Sequence, residues 1–120
     1  MKENRIIVAG GRKFSNAGLL ARKLDHLTKN LAIENMAIVS GCAAGADTLG
    51  AEWARARGIE VIEYPAEWDR LGKRAGYIRN EEMAKVATHL VAFWDGESRG
   101  TKHMIDLSNQ YGLRVVVVRF

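Results

Sequence analysis

The sequence predicts an α/β fold of three layers, in which a mainly parallel sheet of five strands carries helices on both faces. One observation behind this is the alternation, along all 120 residues, of short apolar runs with amphipathic stretches. That pattern arises when each strand is followed by a helix that returns the chain to the same edge of the sheet. The other is that three strand-to-helix junctions carry glycine clusters beside polar groups. They are Gly10-Gly11-Arg12, Gly41-Cys42-Ala43-Ala44-Gly45-Ala46-Asp47 and Asp95-Gly96-Glu97-Ser98-Arg99-Gly100-Thr101.

Strands are expected at residues 5–9, 36–40, 60–64, 89–94 and 114–118, each a short run rich in apolar residues. The first helix is placed by Leu20, Leu24, Leu27 and Leu31 at helical spacing, with Ser15 or Asn16 as its cap. Leu49 and Trp53 mark the core face of the second, which Gly58 ends. A third helix over about 76–87 turns Met83 and Val86 inward. A fourth over about 101–111 turns Met104, Leu107 and Tyr111 inward before Gly112. Trp53 and Trp94 read as core residues. No repeat, low-complexity tract or linker divides the chain, so residues 1–120 are expected to form one domain.

Strand order decides whether the three junctions meet. In the order 3-2-1-4-5 the C-terminal ends of strands two, one and four are neighbours at the point where the winding reverses, which is where such sheets bind ligands. In the order 2-1-3-4-5 the third strand would separate them. The first, Rossmann-like order is therefore expected.

The formal charge of +4 favours anionic partners, but acidic residues interrupt nearly every basic cluster, which argues against a nucleic-acid surface. A lone Cys42 excludes an internal disulfide framework and any all-cysteine metal site, and fits a reducing cytoplasm. No apolar run approaches the ~20 residues of a membrane span, and Met1-Lys2-Glu3-Asn4 lead into a strand without a signal-peptide core. A cytoplasmic protein with no membrane partner is expected.

The junctions point to a phosphate-bearing or nucleotide-like ligand, because glycine admits ligand to backbone N–H groups and a helix N-terminus adds partial positive charge. At the second junction Asp47 is either a capping carboxylate or a contact to a ribose hydroxyl, and Cys42 reads as a small buried residue. At the third, Gly96 and Gly100 frame a loop, Ser98 and Thr101 offer hydroxyls, and Asp95 is either a turn-former or, with Glu97, a group facing the ligand. Between them, residues 65–80 form a long segment, read as an irregular loop, with Trp68 as an aromatic platform beside Lys73, Arg74 and Arg79. Arg79 shares a helical stripe with Met83 and Val86, so it points toward the sheet. There it needs an anion: Asp47, Asp95 or a ligand phosphate.

Taken together, Gly10-Gly11-Arg12, Gly41-x-Ala43-x-Gly45-Ala46-Asp47, Pro65-Ala66-x-Trp68, Gly72-x-x-Ala75-Gly76-x-x-Arg79-Asn80-x-x-Met83 and Phe93-Trp94-Asp95-Gly96-x-Ser98-x-Gly100-Thr101 resemble the YspA, cpYpsA-related branch of the SLOG superfamily. That superfamily groups Rossmann-like proteins related to the DNA-processing protein DprA and to the LOG phosphoribohydrolases. The resemblance implies a nucleotide-related ligand over the C-terminal edge of the sheet. It also implies homodimers or higher homo-oligomers. Beside the LOG enzymes, Arg79 and Met83 match an Arg-Lys-x-x-Met segment, and Gly100-Thr101 match the Gly-Thr of Pro-Gly-Gly-x-Gly-Thr-x-x-Glu. Asn80 replaces the lysine, and Met104 stands where the catalytic glutamate is expected.

Two readings follow. In the first, the protein holds a nucleotide or ribose-phosphate compound, without a cofactor or metal, as a sensor, sequestering or processing protein. The ligand-binding set is then Gly10, Gly11, Arg12, Gly41, Ala43, Gly45, Asp47, Trp68, Arg79, Asn80, Asp95, Gly96, Ser98, Gly100 and Thr101. In the second it hydrolyses the N-glycosidic bond of nucleoside monophosphates, with Arg79, Asp47 and Asp95 as the catalytic candidates, since methionine cannot ionise. DprA-like binding of single-stranded DNA is a weaker third, because Glu67 and Asp69 flank Trp68.

Overall fold

A computed structural model describes residues 1–120. The chain runs β1 (Asn4–Gly10), α1 (Ala17–Thr28), a 3-10 turn (Ile33–Asn35), β2 (Met36–Ser40), α2 (Ala46–Ala56) and β3 (Glu60–Glu63). It continues with α3 (Trp68–Leu71), a second 3-10 turn (Gly72–Arg74), α4 (Ala75–Val86), β4 (His89–Trp94), α5 (Arg99–Gln110) and β5 (Arg114–Arg119). All five strands pair in parallel, in the order β3-β2-β1-β4-β5. The chain therefore winds outward twice from β1, and the crevice between β1 and β4 is the switch point.

Both faces of the sheet are covered, so its inner strands are apolar at nearly every position. On one face Ile6, Val8, Ile38, Val91 and Phe93 pack against Leu20 and Leu24 of α1 and Ala46, Trp53 and Ala54 of α2. On the other, Ile7, Ala9, Val39, Leu90 and Ala92 meet Met83 and Ala84 of α4 and Met104 and Ile105 of α5. No helix is long and apolar enough to cross a membrane.

Several local expectations need correction. Helix α1 is capped by Asn16, whose side chain accepts the Leu19 N–H at 3.0 Å. It ends at Thr28, which is the buried residue of the last turn, while Leu27 is 39 % exposed. The Thr28 hydroxyl donates back to the Leu24 carbonyl at 2.6 Å, satisfying itself inside the helix. Tyr111 is exposed because it lies one residue past α5, and its hydroxyl donates to Glu81 at 3.3 Å. The segment 65–80 is not an irregular loop: α3, the turn after it and the start of α4 occupy most of it. Trp94 is only half-buried, its indole N–H donating to the Ser98 carbonyl at 3.1 Å and its ring lying under Arg119. Cys42 is exposed, with φ of 64°.

Candidate functional site

The C-terminal ends of β1, β2 and β4 meet α4 around one cavity of about 530 Å³. Its size lies within the range of small-molecule sites. Gly10, Gly11 and Arg12 line it from β1; Ala43 and Asp47 from the entry to α2; Trp68, Arg79 and Asn80 from the α3–α4 arm; and Asp95, Ser98, Gly100 and Thr101 from the entry to α5. Gly41, Gly45 and Gly96 lie outside the lining, and the protein itself accounts for each. A Cβ on Gly41 would stand 2.7 Å from Asp47 Oδ2 and 2.8 Å from Arg79 Nη1. One on Gly45 would strike the Gly11 carbonyl oxygen, and one on Gly96 the Arg119 guanidinium. Conversely, Lys13, Phe14, Lys73, Tyr77, Met104 and Phe120 line the cavity without having been singled out as ligand contacts. Phe14 and Phe120, from opposite ends of the chain, stack edge-on with centroids 4.8 Å apart.

At the floor, Asp47 is 6 % exposed and its Oδ2 accepts the Ala43 N–H at 3.2 Å. Burial pushes its carboxyl up to about 6, against the opposing pull of that N–H and of the Arg79 and Arg12 charges. Across Gly41, Arg79 donates from Nη1 to the Gly41 carbonyl and from Nε to Asn80 Oδ1 at 3.0 Å. Burial lowers the Arg79 pKa, with Asp47 holding it up. Asn80, itself buried, passes the network on through Nδ2 to His103 Nδ1 at 3.1 Å. Because Asn80 Oδ1 accepts from Arg79, Nδ2 is the donor of this contact and His103 Nδ1 the acceptor, and burial also disfavours the His103 cation.

Asp47 gives a direct test of this geometry. Its folded pKa lies above the ordinary 3.8. The protonated carboxyl therefore contributes stability that is fully present below pH ~3.8 and lost as pH rises through about 6. Asp47→Asn keeps an acceptor for Ala43, and should be more stable than the parent by about 1–3 kcal/mol at pH 8, with the gap shrinking toward pH 4. Urea unfolding across that range measures it. A gap constant with pH would show that Asp47 titrates normally.

The N-terminus of α5 has a clear set of hydrogen bonds. Asp95 Oδ1 accepts the N–H groups of Glu97 (2.8 Å) and Ser98 (2.9 Å), which closes a turn and holds the exposed Asp95 carboxyl below its usual range. Ser98 Oγ accepts the Thr101 N–H at 3.4 Å. The Arg99 and Gly100 N–H groups are left as the open donors of the first turn. At the mouth, Trp68 is 47 % exposed with the Arg12 guanidinium 5.8 Å above its ring. Glu67, beside it, is paired with Arg70.

The arrangement thus provides cations, open backbone donors and an aromatic face around a buried carboxylate. Two solved structures share the fold. DNA processing protein A (DprA) from Streptococcus pneumoniae superposes with a TM-score of 0.71 at 19 % identity, over 97 % of this chain and 50 % of that one. The DNA processing protein A from Helicobacter pylori, whose single-stranded DNA binding mode was the subject of its structure, superposes with a TM-score of 0.71 at 16 % identity. It is matched over 97 % of this chain and 65 % of its own. The chain thus spans half to about two-thirds of these proteins. Gene 61 protein of Mycobacterium phage D29 is 34 % identical over 119 residues, covering 93 % of this chain and 94 % of that protein. The sequence pattern of one family matches residues 4–71, and with that match the chain belongs to the YspA, cpYpsA-related SLOG family.

Proposed function

We propose that residues 1–120 act as one unit that binds a nucleotide or ribose-phosphate compound in the cavity at the sheet's C-terminal edge. The observation that carries this is that all three glycine junctions, Arg79 and Trp68 contribute to one cavity. Arg12, Lys13 and Lys73 line it and form no salt bridge, so an anion would meet cations not already neutralised. The exposed face of Trp68 offers a stacking surface for a base.

Hydrolysis is the less favoured chemistry, because Met104 lines the cavity, is 1 % exposed and supplies no carboxylate there. Single-stranded nucleic acid is the second reading: pairing of Glu67 with Arg70 and the seat of Arg12 over Trp68 offset the acidic flanks of that tryptophan.

Tryptophan fluorescence tests the binding reading. Nucleoside 5′-monophosphates and short oligonucleotides should be titrated into the protein and into Trp68→Leu, with recovered nucleotide checked by chromatography. The expected result is saturable quenching by monophosphates that Trp68→Leu lacks, affinity lower by about 1–3 kcal/mol in that variant by calorimetry, and no release of free base. Binding of oligonucleotides alone would replace the nucleotide reading with the nucleic-acid one. Absence of binding by either class would remove the site.

A further inference from the structure

The floor of the cavity holds one acceptor and one donor that the protein leaves unpaired. Asp47 uses Oδ2 for the Ala43 N–H, whereas Oδ1 has no hydrogen-bond partner and is not sealed in. Arg79 uses Nη1 and Nε within the protein, whereas Nη2 has no partner. No ion pair within 4.0 Å joins the two side chains, although both crowd the same point above Gly41. A carboxylate 94 % buried and half-satisfied is costly, and a ligand that completes it recovers that cost.

The chemistry of the completing group is constrained. An ionised carboxylate only accepts hydrogen bonds, and it repels phosphate. The group placed at Asp47 must therefore bring a hydrogen, and the phosphate must lie elsewhere, toward Arg12, Lys13 and Lys73 or the open Arg99 and Gly100 N–H groups. The base has its own surface at the mouth, on Trp68. What remains for the floor is the sugar. Resting on the nucleotide-binding reading above, we propose that Asp47 accepts a hydrogen bond from a sugar hydroxyl and thereby selects ribonucleotides over their deoxy counterparts, with Arg79 Nη2 donating to the neighbouring ligand oxygen.

The experiment compares the 5′-monophosphates of adenosine, guanosine, cytidine and uridine with their 2′-deoxy, 3′-deoxy and 2′,3′-dideoxy forms by calorimetry at pH 8, where Asp47 is ionised. The dideoxy forms are expected to bind the wild-type protein about tenfold or more weakly than the ribo forms, as loss of one charge-assisted hydrogen bond implies. That gap should narrow severalfold in Asp47→Asn, which offers only a neutral bond, and close in Asp47→Ala. The wild-type comparison needs no variant to fold. Equal binding of ribo and dideoxy forms would overturn the inference while leaving the nucleotide site standing, and so would discrimination that follows the base and ignores the sugar. Failure of every monophosphate to bind would overturn the underlying reading and this inference with it.

Discussion

Gly45→Ala is expected to destabilise the fold by about 3 kcal/mol or more, a large share of the total stability of a domain of this size. Two independent costs act at this position. Its φ of 81° and ψ of −127° belong to a backbone region that side chains with a Cβ enter only under strain of about 1–3 kcal/mol. A Cβ would also collide with the Gly11 carbonyl oxygen and lie 2.7 Å from the Arg12 carbonyl, both backbone atoms that cannot rotate away. Gly11 cannot retreat without carrying the Ala46 N–H to Gly11 O hydrogen bond with it, so the β1–α1 and β2–α2 loops would part together. Gly100 provides the control. A Cβ there meets nothing within 4 Å, and its backbone carries no positive φ, so Gly100→Ala should leave stability within about 1 kcal/mol of the parent. Urea unfolding compares the two, and a Gly45 variant as stable as the Gly100 variant would show that the loops are not locked as described.

This contrast also shows what could be read from the chain. Strand order was legible because three glycine junctions must share a rim to make sense together, and only one winding brings them side by side. What each glycine does was not legible. Gly10, Gly41, Gly45 and Gly96 are small because protein atoms press on them, whereas Gly11 and Gly100 face open space, and the same letter encodes both. The short α3 left no trace because four residues cannot display helical periodicity, and Gly72, with φ of 64°, ends it as soon as it has begun. Leucine spacing carried the first helix to Leu31, but Leu31 packs on the core from beyond the end of α1. Phe120 illustrates the general obstacle. It reaches the cavity only because β5 is the neighbour of β4 and ends beside the β1–α1 loop, where it meets Phe14. No local pattern around residue 120 carries that information. The stripe through Arg79, Met83 and Val86 was readable from spacing, but the link from Asn80 to His103 needed two helices to be packed together.

Arg79→Met should weaken nucleotide binding about ten- to hundredfold, equivalent to ~1.5–3 kcal/mol, with the fold retained. Methionine matches the length of the stem and continues the stripe toward Met83, so the loss is that of the guanidinium and not of packing. The guanidinium is worth this much because it is oriented and partly desolvated before ligand arrives: it is half-buried, and the Gly41 carbonyl and Asn80 Oδ1 fix its plane with Nη2 left open. Arg12 and Lys13, exposed at the mouth, must be ordered on binding, and single substitutions there should cost less. Arg79 also stands as the nearby positive charge for Asp47, which gives a check that separates the two roles. Without it, the buried Asp47 carboxylate keeps only the Ala43 N–H and the Arg12 charge to offset its burial, so Asp47→Asn should recover more stability in the Arg79→Met background than in the parent, by an interaction energy of about 0.5–3 kcal/mol. The cycle is read by urea unfolding at pH 8 and the affinities by calorimetry on the same four proteins. Additive stabilities would mean that the two charges do not sense each other across Gly41. An affinity for nucleotide unchanged by Arg79→Met would mean that Nη2 donates to no ligand oxygen, leaving Arg79 as a purely structural tie between the Gly41 carbonyl and α4.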